Sequence, residues 1–266
     1  MSSISLALKD SRTMLRRNLL RMRRYPSMTV LLVGMPILFL LLFVYVFGGT
    51  LGAGLPGGGG IGADGRAAYL DYVTPAIVVM AAAAAAQGTA ISVAMDMTEG
   101  IVARFRTMAI SPGSVLAGHV LGSVVQSLLA MGALLLVAVG LGYRPAANAV
   151  GWLALVGLLT LMALALTWLS VALGLVSDSV ETASNLPMFL IFLPFLGSGF
   201  VPTDSMPGPL AWFAEHQPFT PIIETLRTLL AGTPVDGGTA AAAVAWGVGI
   251  TVVGYLWARK LYRRER

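Results

Sequence analysis

The sequence predicts an all-α integral membrane protein, with six transmembrane helices, an N-terminal interfacial helix and re-entrant helices before the last span. Three observations carry that prediction. Of 266 residues, 57% are hydrophobic and only 11% charged, and the mean hydropathy is +0.83. A soluble domain carries about 25% charged residues and could not cover its surface with so few. Several apolar runs approach or exceed the roughly 20 residues that cross a bilayer. Finally, the basic residues gather at the two ends of the chain, a topology signal rather than a nucleic-acid footprint. Cysteine is absent, which excludes disulfides, thiolate metal sites and cysteine nucleophiles. No cleavable signal peptide is expected, because a long basic segment precedes the first apolar run.

Residues 1–26 read as an interfacial helix. Ile4, Leu8, Leu15, Leu19 and Met22 share one side at helical spacing, and Lys9, Arg12, Arg16, Arg23 and Arg24 fall mostly on the other. Such a helix lies among the lipid headgroups, and Pro26 ends it. The first span is expected from Met28 to Phe47, kinked at Pro36. The glycine-rich stretch 52–62 that follows has no Gly-Lys-Ser/Thr and no preceding strand, so it is a flexible connector and not a phosphate loop.

The second span is expected from Tyr72 to Met95. Its alanine run, Ala81 to Ala86, suits close helix packing. Gln87, Thr89 and Ser92 make its second half modestly polar; bonding to backbone or neighbouring helices is the plainer reading, lining of a substrate path the functional one. The third span covers Val115 to Leu141 and holds His119 and Gln126. No second histidine or carboxylate stands at metal-ligand spacing from His119. The fourth covers Val150 to Val176. The fifth, Leu186 to Phe200, is short and contains Met188, Phe192, Pro187 and Pro194.

Residues 201–239 are too polar to span and too apolar for an ordinary loop. They read as short helices dipping into, or lying on, the bilayer surface, with Glu224 and Arg227 paired at i, i+3. The sixth span runs from Ala240 to Trp257. The basic residues lie at the two termini and in the loop 96–113, all but Arg66, Arg144 and Arg227. The positive-inside rule therefore places both termini and that loop in the cytoplasm of a multi-pass protein of the cell (inner or plasma) membrane.

The spans hold almost no ionisable group, contrary to what an ion-coupled pump needs. No nucleotide loop or catalytic constellation stands out, so the chain is not expected to be an enzyme, and energy for uphill transport must come from another chain. Attention falls on residues 96–113. Asp96 and Glu99 resemble a capping box for a short helix whose apolar face is Ile101, Phe105 and Met108, with Arg104 and Arg106 beside it. Pro112 ends that helix and Ser114 can cap the next span. A helix of this kind can seat in a groove on a soluble partner; a solvated loop that only fixes topology is the alternative, and composition does not choose between them.

The run from Tyr69 to Ala117, YVFGG at Tyr45 to Gly49, and the segment from Phe200 to Gly232 together resemble the permeases of type-2 ABC exporters, in the daunorubicin-resistance branch. The resemblance implies six spans in a single transmembrane domain, 1–266, that pairs with a second permease copy or homologue among membrane lipids. It also implies a dimer of cytoplasmic ABC ATPases, on separate chains, that binds the ATP and magnesium; no cofactor is expected on this chain. It implies that Asp96, Glu99, Ile101, Arg104, Phe105, Arg106, Met108 and Pro112 form the coupling helix that docks on the ATPase, and that the segment before the last span, with Phe219, Glu224 and Arg227, closes the outer side. Family members often carry a basic residue after the coupling-loop proline, where this chain has Gly113. Gln87, Thr89, Gln126, Met188 and Phe192 are the candidate substrate-path residues. The function expected is ATP-driven export of a hydrophobic or amphipathic compound, such as a drug, an antibiotic or a lipid-like molecule. The alternative is a membrane scaffold that recruits a soluble partner through the 96–113 loop and transports nothing.

Overall fold

The computed structural model describes residues 26–55, 61–98 and 112–264. Nearly all of the expected interfacial helix lies outside these residues. So do Glu99, Ile101, Arg104, Phe105, Arg106 and Met108 of the expected coupling helix, and part of the glycine-rich connector.

Helices follow wherever the apolar runs are long. Helix α1 (Pro26–Leu42) passes through a π-helical turn, Phe43–Phe47, into the short α2 (Gly48–Leu51). Helix α3 spans Ala63–Thr98, α4 Pro112–Gly140 and α5 Ala149–Val176. Two short pieces follow, α6 (Val180–Asn185) and α7 (Met188–Phe192). Then come α8 (Gly208–His216), α9 (Phe219–Ala231) and the last long helix, α10 (Gly237–Arg264). No strand forms among the described residues. Among the described residues, five helical segments are long and apolar enough to cross a membrane.

The expected fifth span differs. It forms α6, α7 and a 3-10 turn, Leu193–Leu196, rather than one rod. The cause lies in Pro187 and Pro194, which withhold the N–H groups that a continuous helix would need. The second span also departs from expectation: α3 starts at Ala63, well before Tyr72. Asp64, Arg66 and Asp71 make that first part look like a loop, but Tyr69, Leu70 and Val73 are buried and hold it in the bundle.

Helix α3 is the axis of the molecule. Of its most apolar stretch, 78% is buried, against 17% for α10, which rests mainly on α5 and shows its other faces outward. Ala81 to Ala86 are all buried, so α3 can lie close to α4, α5 and α1 at once. The connector is fitted just as tightly to α3: a Cβ on Gly52 would overlap the carbonyl of Gly65.

The ends of the helices are capped in ways the chain dictates locally. Asn148 Oδ1 accepts from the N–H of Gly151 at 2.8 Å and opens α5. Ser179 does the same for α6. Asp236 opens α10 by accepting from the N–H and hydroxyl of Thr239 at 2.7 and 2.8 Å, bonds that hold its carboxyl below the usual range. At the other side of the central loop, two expectations change. Asp96 lies inside the last turn of α3, so it cannot act as the N-cap of a following helix. Pro112 opens α4 instead of only ending what precedes it, and Ser114 falls within the first turn.

Candidate functional site: the polar cluster at the hairpin end

Helices α8 and α9 form a hairpin at the end of the bundle where α3 begins. Its elbow is a knot of side chains. Gln217 donates from Nε2 to Thr220 Oγ1 (3.2 Å) and to the carbonyl of Leu193 (3.4 Å). Thr220 also accepts from the N–H of Ser198 (3.3 Å) and donates to the carbonyl of Ala214. The hairpin is thereby tied to the segment that leaves α7. Gly197 sits against this knot, where a Cβ would overlap Gln217 and lie 2.6 Å from Thr220 Oγ1. On the same segment, Phe195 stacks on Phe200 at 4.1 Å and Phe200 meets Phe43 of the π-helical turn at 4.6 Å.

Arg227 holds the cluster together. Its Nε and Nη2 donate to the carbonyl of Tyr72 at 3.3 and 3.2 Å, Nη2 also to the carbonyl of Ser198 at 2.9 Å, and Nη1 to Glu224 Oε1 at 2.7 Å. The guanidinium carbon stands 3.8 Å from the centre of the Tyr72 ring. Arginine suits this task, since its planar fork of donors reaches several acceptors at once and stacks on an aromatic face. Pro75, one turn along α3, has no N–H for the carbonyl of Asp71 and crowds it; Arg227 supplies donors to the carbonyl beside it. Two tyrosines complete the join: Tyr72 donates to the carbonyl of Ser198 at 2.8 Å and Tyr69 to that of Phe200 at 3.1 Å. The other end of α9 is fixed by the N–H of Ala146, which donates to the carbonyl of Leu230 at 2.8 Å. Gly232 ends the helix at φ +68°.

Beside Arg227 lies a cavity of about 640 Å³ whose wall includes Asp71, Tyr143, Arg144, Ser198, Asp204 and Glu224. Burial, with a smaller contribution from the Asp71 carboxylate, pushes the Tyr143 phenol above the ordinary tyrosine range, and Arg227 offsets part of the rise. Among the described residues no three histidine, aspartate or glutamate side chains converge as metal ligands would.

The sequence-predicted residues fall in different places. Glu224 and Arg227 meet as expected, while Phe219 is buried in the core beside them. Gln87 ties α3 to α6 by donating to the carbonyl of Ser184 at 2.6 Å. Thr89 is buried and shares a hydrogen bond with Ser123, to which Thr167 also donates (3.2 Å). Gln126 is half-buried on α4. Met188 and Phe192 are 46% and 51% exposed on the outside of the bundle. None of these five lines the cavity beside Arg227. Tyr72, Ser198, Tyr143 and Asp71, which do surround Arg227 or its cavity, were not singled out in the sequence, where they are scattered over distant stretches. Arg66, Arg144 and Arg227, the basic residues left over by the topology count, all lie at this end.

Residues 10–231 match the ABC-2 type transporter family model. The chain is 28% identical over 228 residues to the daunorubicin resistance ABC transporter permease protein DrrB1 of Streptomyces coeruleorubidus, covering 85% of this chain and 77% of that one. It is 24% identical over 184 residues to the probable doxorubicin resistance ABC transporter permease protein DrrC of Mycobacterium tuberculosis, strain CDC 1551, covering 69% and 66%. The H37Rv strain's protein of that name gives the same values. With most of its length matched, the chain belongs to the ABC-2 type transporter family, as a membrane permease related to drug-resistance ABC exporters and not itself an enzyme.

Proposed function

We propose that this permease forms the membrane path of an ATP-driven exporter for a hydrophobic or amphipathic compound and that the α8–α9 hairpin closes that path on the outer side. Both termini and the 96–113 loop then face the cytoplasm. ATP and magnesium reside on a separate ATPase pair, and a second permease completes the assembly. The relatives' names, daunorubicin and doxorubicin resistance permeases, support the choice of cargo class. Nothing in the relatives favours a scaffold without transport.

The observation that carries the gate reading is Arg227. One side chain joins α9 to α3 and to the segment after α7, so hairpin movement must break several bonds together. Such a join has two discrete arrangements, made and broken, which suits a gate better than a gradual deformation. Force would reach it from the other end of α3, whose last turn runs into the coupling segment of Glu99, Ile101, Arg104, Phe105, Arg106 and Met108.

The test is co-expression with the cognate ATPase and measurement of its hydrolysis rate with lipophilic compounds. The wild-type complex should respond to them. Phe105→Ala and Glu99→Ala should abolish the response while leaving expression and complex formation intact. A response that survives in both variants would sink the coupling assignment.

A further inference from the structure

The first span contains a π-helical turn, Phe43–Phe47, that nothing local imposes. Helices are distorted at proline, at glycine, or where tertiary packing forces an extra residue into the hydrogen-bond ladder. The turn reads FVYVF, with neither proline nor glycine, and Pro36 lies well before it. Packing is therefore the cause. Phe43 stands at the centre of a ring cluster, 5.9 Å from Phe195 and 4.6 Å from Phe200. On its own helix it meets Phe39 at 6.5 Å and Phe47 at 5.6 Å. In a regular α-helix each fourth residue advances about 40° around the axis, which would carry Phe47 about 80° away from Phe39. The wider π turn takes up that drift and keeps successive rings in contact. Its partners across the cluster belong to the gate: Phe195 and Phe200 flank Ser198, whose carbonyl Arg227 holds, and Tyr69 holds the carbonyl of Phe200. The outer flank of the turn has no such support. Tyr45 and Val46 are 55% and 61% exposed, in a span where lipid offers no hydrogen bond to a distorted backbone.

We propose that this turn is a hinge set by the gate, so that the first span follows the hairpin only beyond Phe47. With Phe195 and Phe200 seated on Phe43, the turn is π-helical. When the hairpin moves and takes that segment with it, the turn reverts to α-helix and α2 rotates relative to α1. The two forms are discrete, because the backbone bonds reach either five residues along or four. Beyond the hinge, Gly52 and Gly65 meet backbone to backbone with no side chains to interlock, which lets the end of the span slide along α3. The inference rests on the gate reading above and adds to it a moving part in a different span.

The experiment uses the permease reassembled with its ATPase in nanodiscs. The chain has no cysteine, so one introduced thiol takes one bimane, a fluorophore that reports its surroundings, before the ATPase is added. Three positions are compared: Leu38→Cys in α1 before the turn, Thr50→Cys in α2 beyond it, and Trp212→Cys on the hairpin, all exposed. Trapping with ATP and vanadate should shift the emission at Trp212→Cys and Thr50→Cys and leave Leu38→Cys unchanged. Deleting Val46 removes the extra residue, leaves both flanks in register and closes a continuous α-helix; it should abolish the shift at Thr50→Cys. Phe43→Leu removes the ring that holds the π form and should give Thr50→Cys its trapped emission with no nucleotide present. Should the deletion lose its monodisperse profile on gel filtration, Phe43→Leu carries the test. A shift at Trp212→Cys with none at Thr50→Cys overturns the hinge and leaves the gate standing. Equal shifts at Leu38→Cys and Thr50→Cys, the mark of a span that moves as one rod, also overturn it. So does a Thr50→Cys shift that survives in the monodisperse deletion variant, or an emission that Phe43→Leu leaves untouched. If Trp212→Cys itself stays silent on trapping, the gate reading falls and the hinge falls with it.

Discussion

Inside the bundle, Thr89 of α3, Ser123 of α4 and Thr167 of α5 hydrogen-bond to one another, with Ser127 and Ser170 buried nearby along the same helices. At the hairpin end, Arg227 reaches carbonyls and a carboxylate contributed by three segments. The hydroxyl group joins helices that the chain would pack together anyway through their small residues, and each threonine has a fallback on its own helix, as Thr89 shows by donating to the carbonyl of Ala85 at 3.4 Å. Arg227 has a partner on its own helix only in Glu224, and its other acceptors lie on α3 and on the segment after α7. Without it, the carbonyl of Ser198 keeps only the Tyr72 hydroxyl, and Glu224 loses its cation. Burial of a polar group is therefore a poor guide to its weight in this fold. What counts is whether the group can be satisfied locally when its distant partner leaves.

That contrast sets the order of expected effects. Arg227→Ala should be the most damaging change, costing about 2–3 kcal/mol. The figure stays below that of a fully buried pair because Glu224 is 37% exposed. The check is apparent thermal stability of the purified protein together with ATP-dependent efflux from cells that also make the ATPase. Arg227→Lys should recover only part of either, since a single ammonium cannot serve Tyr72, Ser198 and Glu224 together. If Arg227→Ala were no worse than a hydroxyl deletion in the bundle interior, the comparison would collapse.

Gly197→Ala should come next, at about 1–2 kcal/mol, because the added methyl must displace Gln217 and Thr220 from the elbow. Its stability loss should be accompanied by easier proteolytic cleavage near 201–207. Equal cleavage of mutant and wild type would show that the elbow can repack around the extra carbon.

The Tyr143 phenol sharpens the same region by pH. Its folded pKa is raised, so the neutral phenol favours the native state fully below the unfolded tyrosine value of about 10. As pH climbs past that value, the unfolded chain ionises first and stability falls, by at most about 1.4 kcal/mol per pH unit from this group. Tyr143→Phe should make the fall between about pH 10 and 11 shallower. Parallel wild-type and mutant curves would place Tyr143 outside the set of groups that limit alkaline stability.

Much of the membrane architecture was legible in the sequence because hydropathy alone selects helices of spanning length. Five of the six expected spans are helices of that kind. The Glu224–Arg227 pair was legible too, since it is a local i, i+3 contact. The rest of Arg227's environment was not. Tyr72 is 155 residues away and Ser198 is 29 residues away, and both offer backbone carbonyls, which every residue carries. Asp96 misled for a related reason. Acidic residues followed three positions later by glutamate resemble a helix start, yet α3 continues through Thr98, which leaves Asp96 buried in its last turn. The first part of α3 was not legible as part of the span because its charged residues mask a buried face formed by Tyr69, Leu70 and Val73, of which Tyr69 finds its hydrogen-bond partner at Phe200, 131 residues on.

The smallest effects should come from the bundle interior, and one of them should have the opposite sign. Ser123→Ala removes a partner of Thr89 and Thr167 and should cost about 0.6 kcal/mol, the usual worth of a hydrogen bond between membrane helices. Ser127 and Ser170 are different, because their buried hydroxyls have no partner. Replacing such a serine with alanine takes away an unsatisfied polar group and leaves nothing behind unpaired, so Ser127→Ala and Ser170→Ala should be neutral or stabilising by up to about 1 kcal/mol. Apparent unfolding temperatures measured side by side with Ser123→Ala would read the difference. Clear destabilisation by both would mean that water or a neighbouring carbonyl satisfies these hydroxyls in the membrane. The bundle interior would then resemble the hairpin end, with polar groups that depend on partners beyond their own helix.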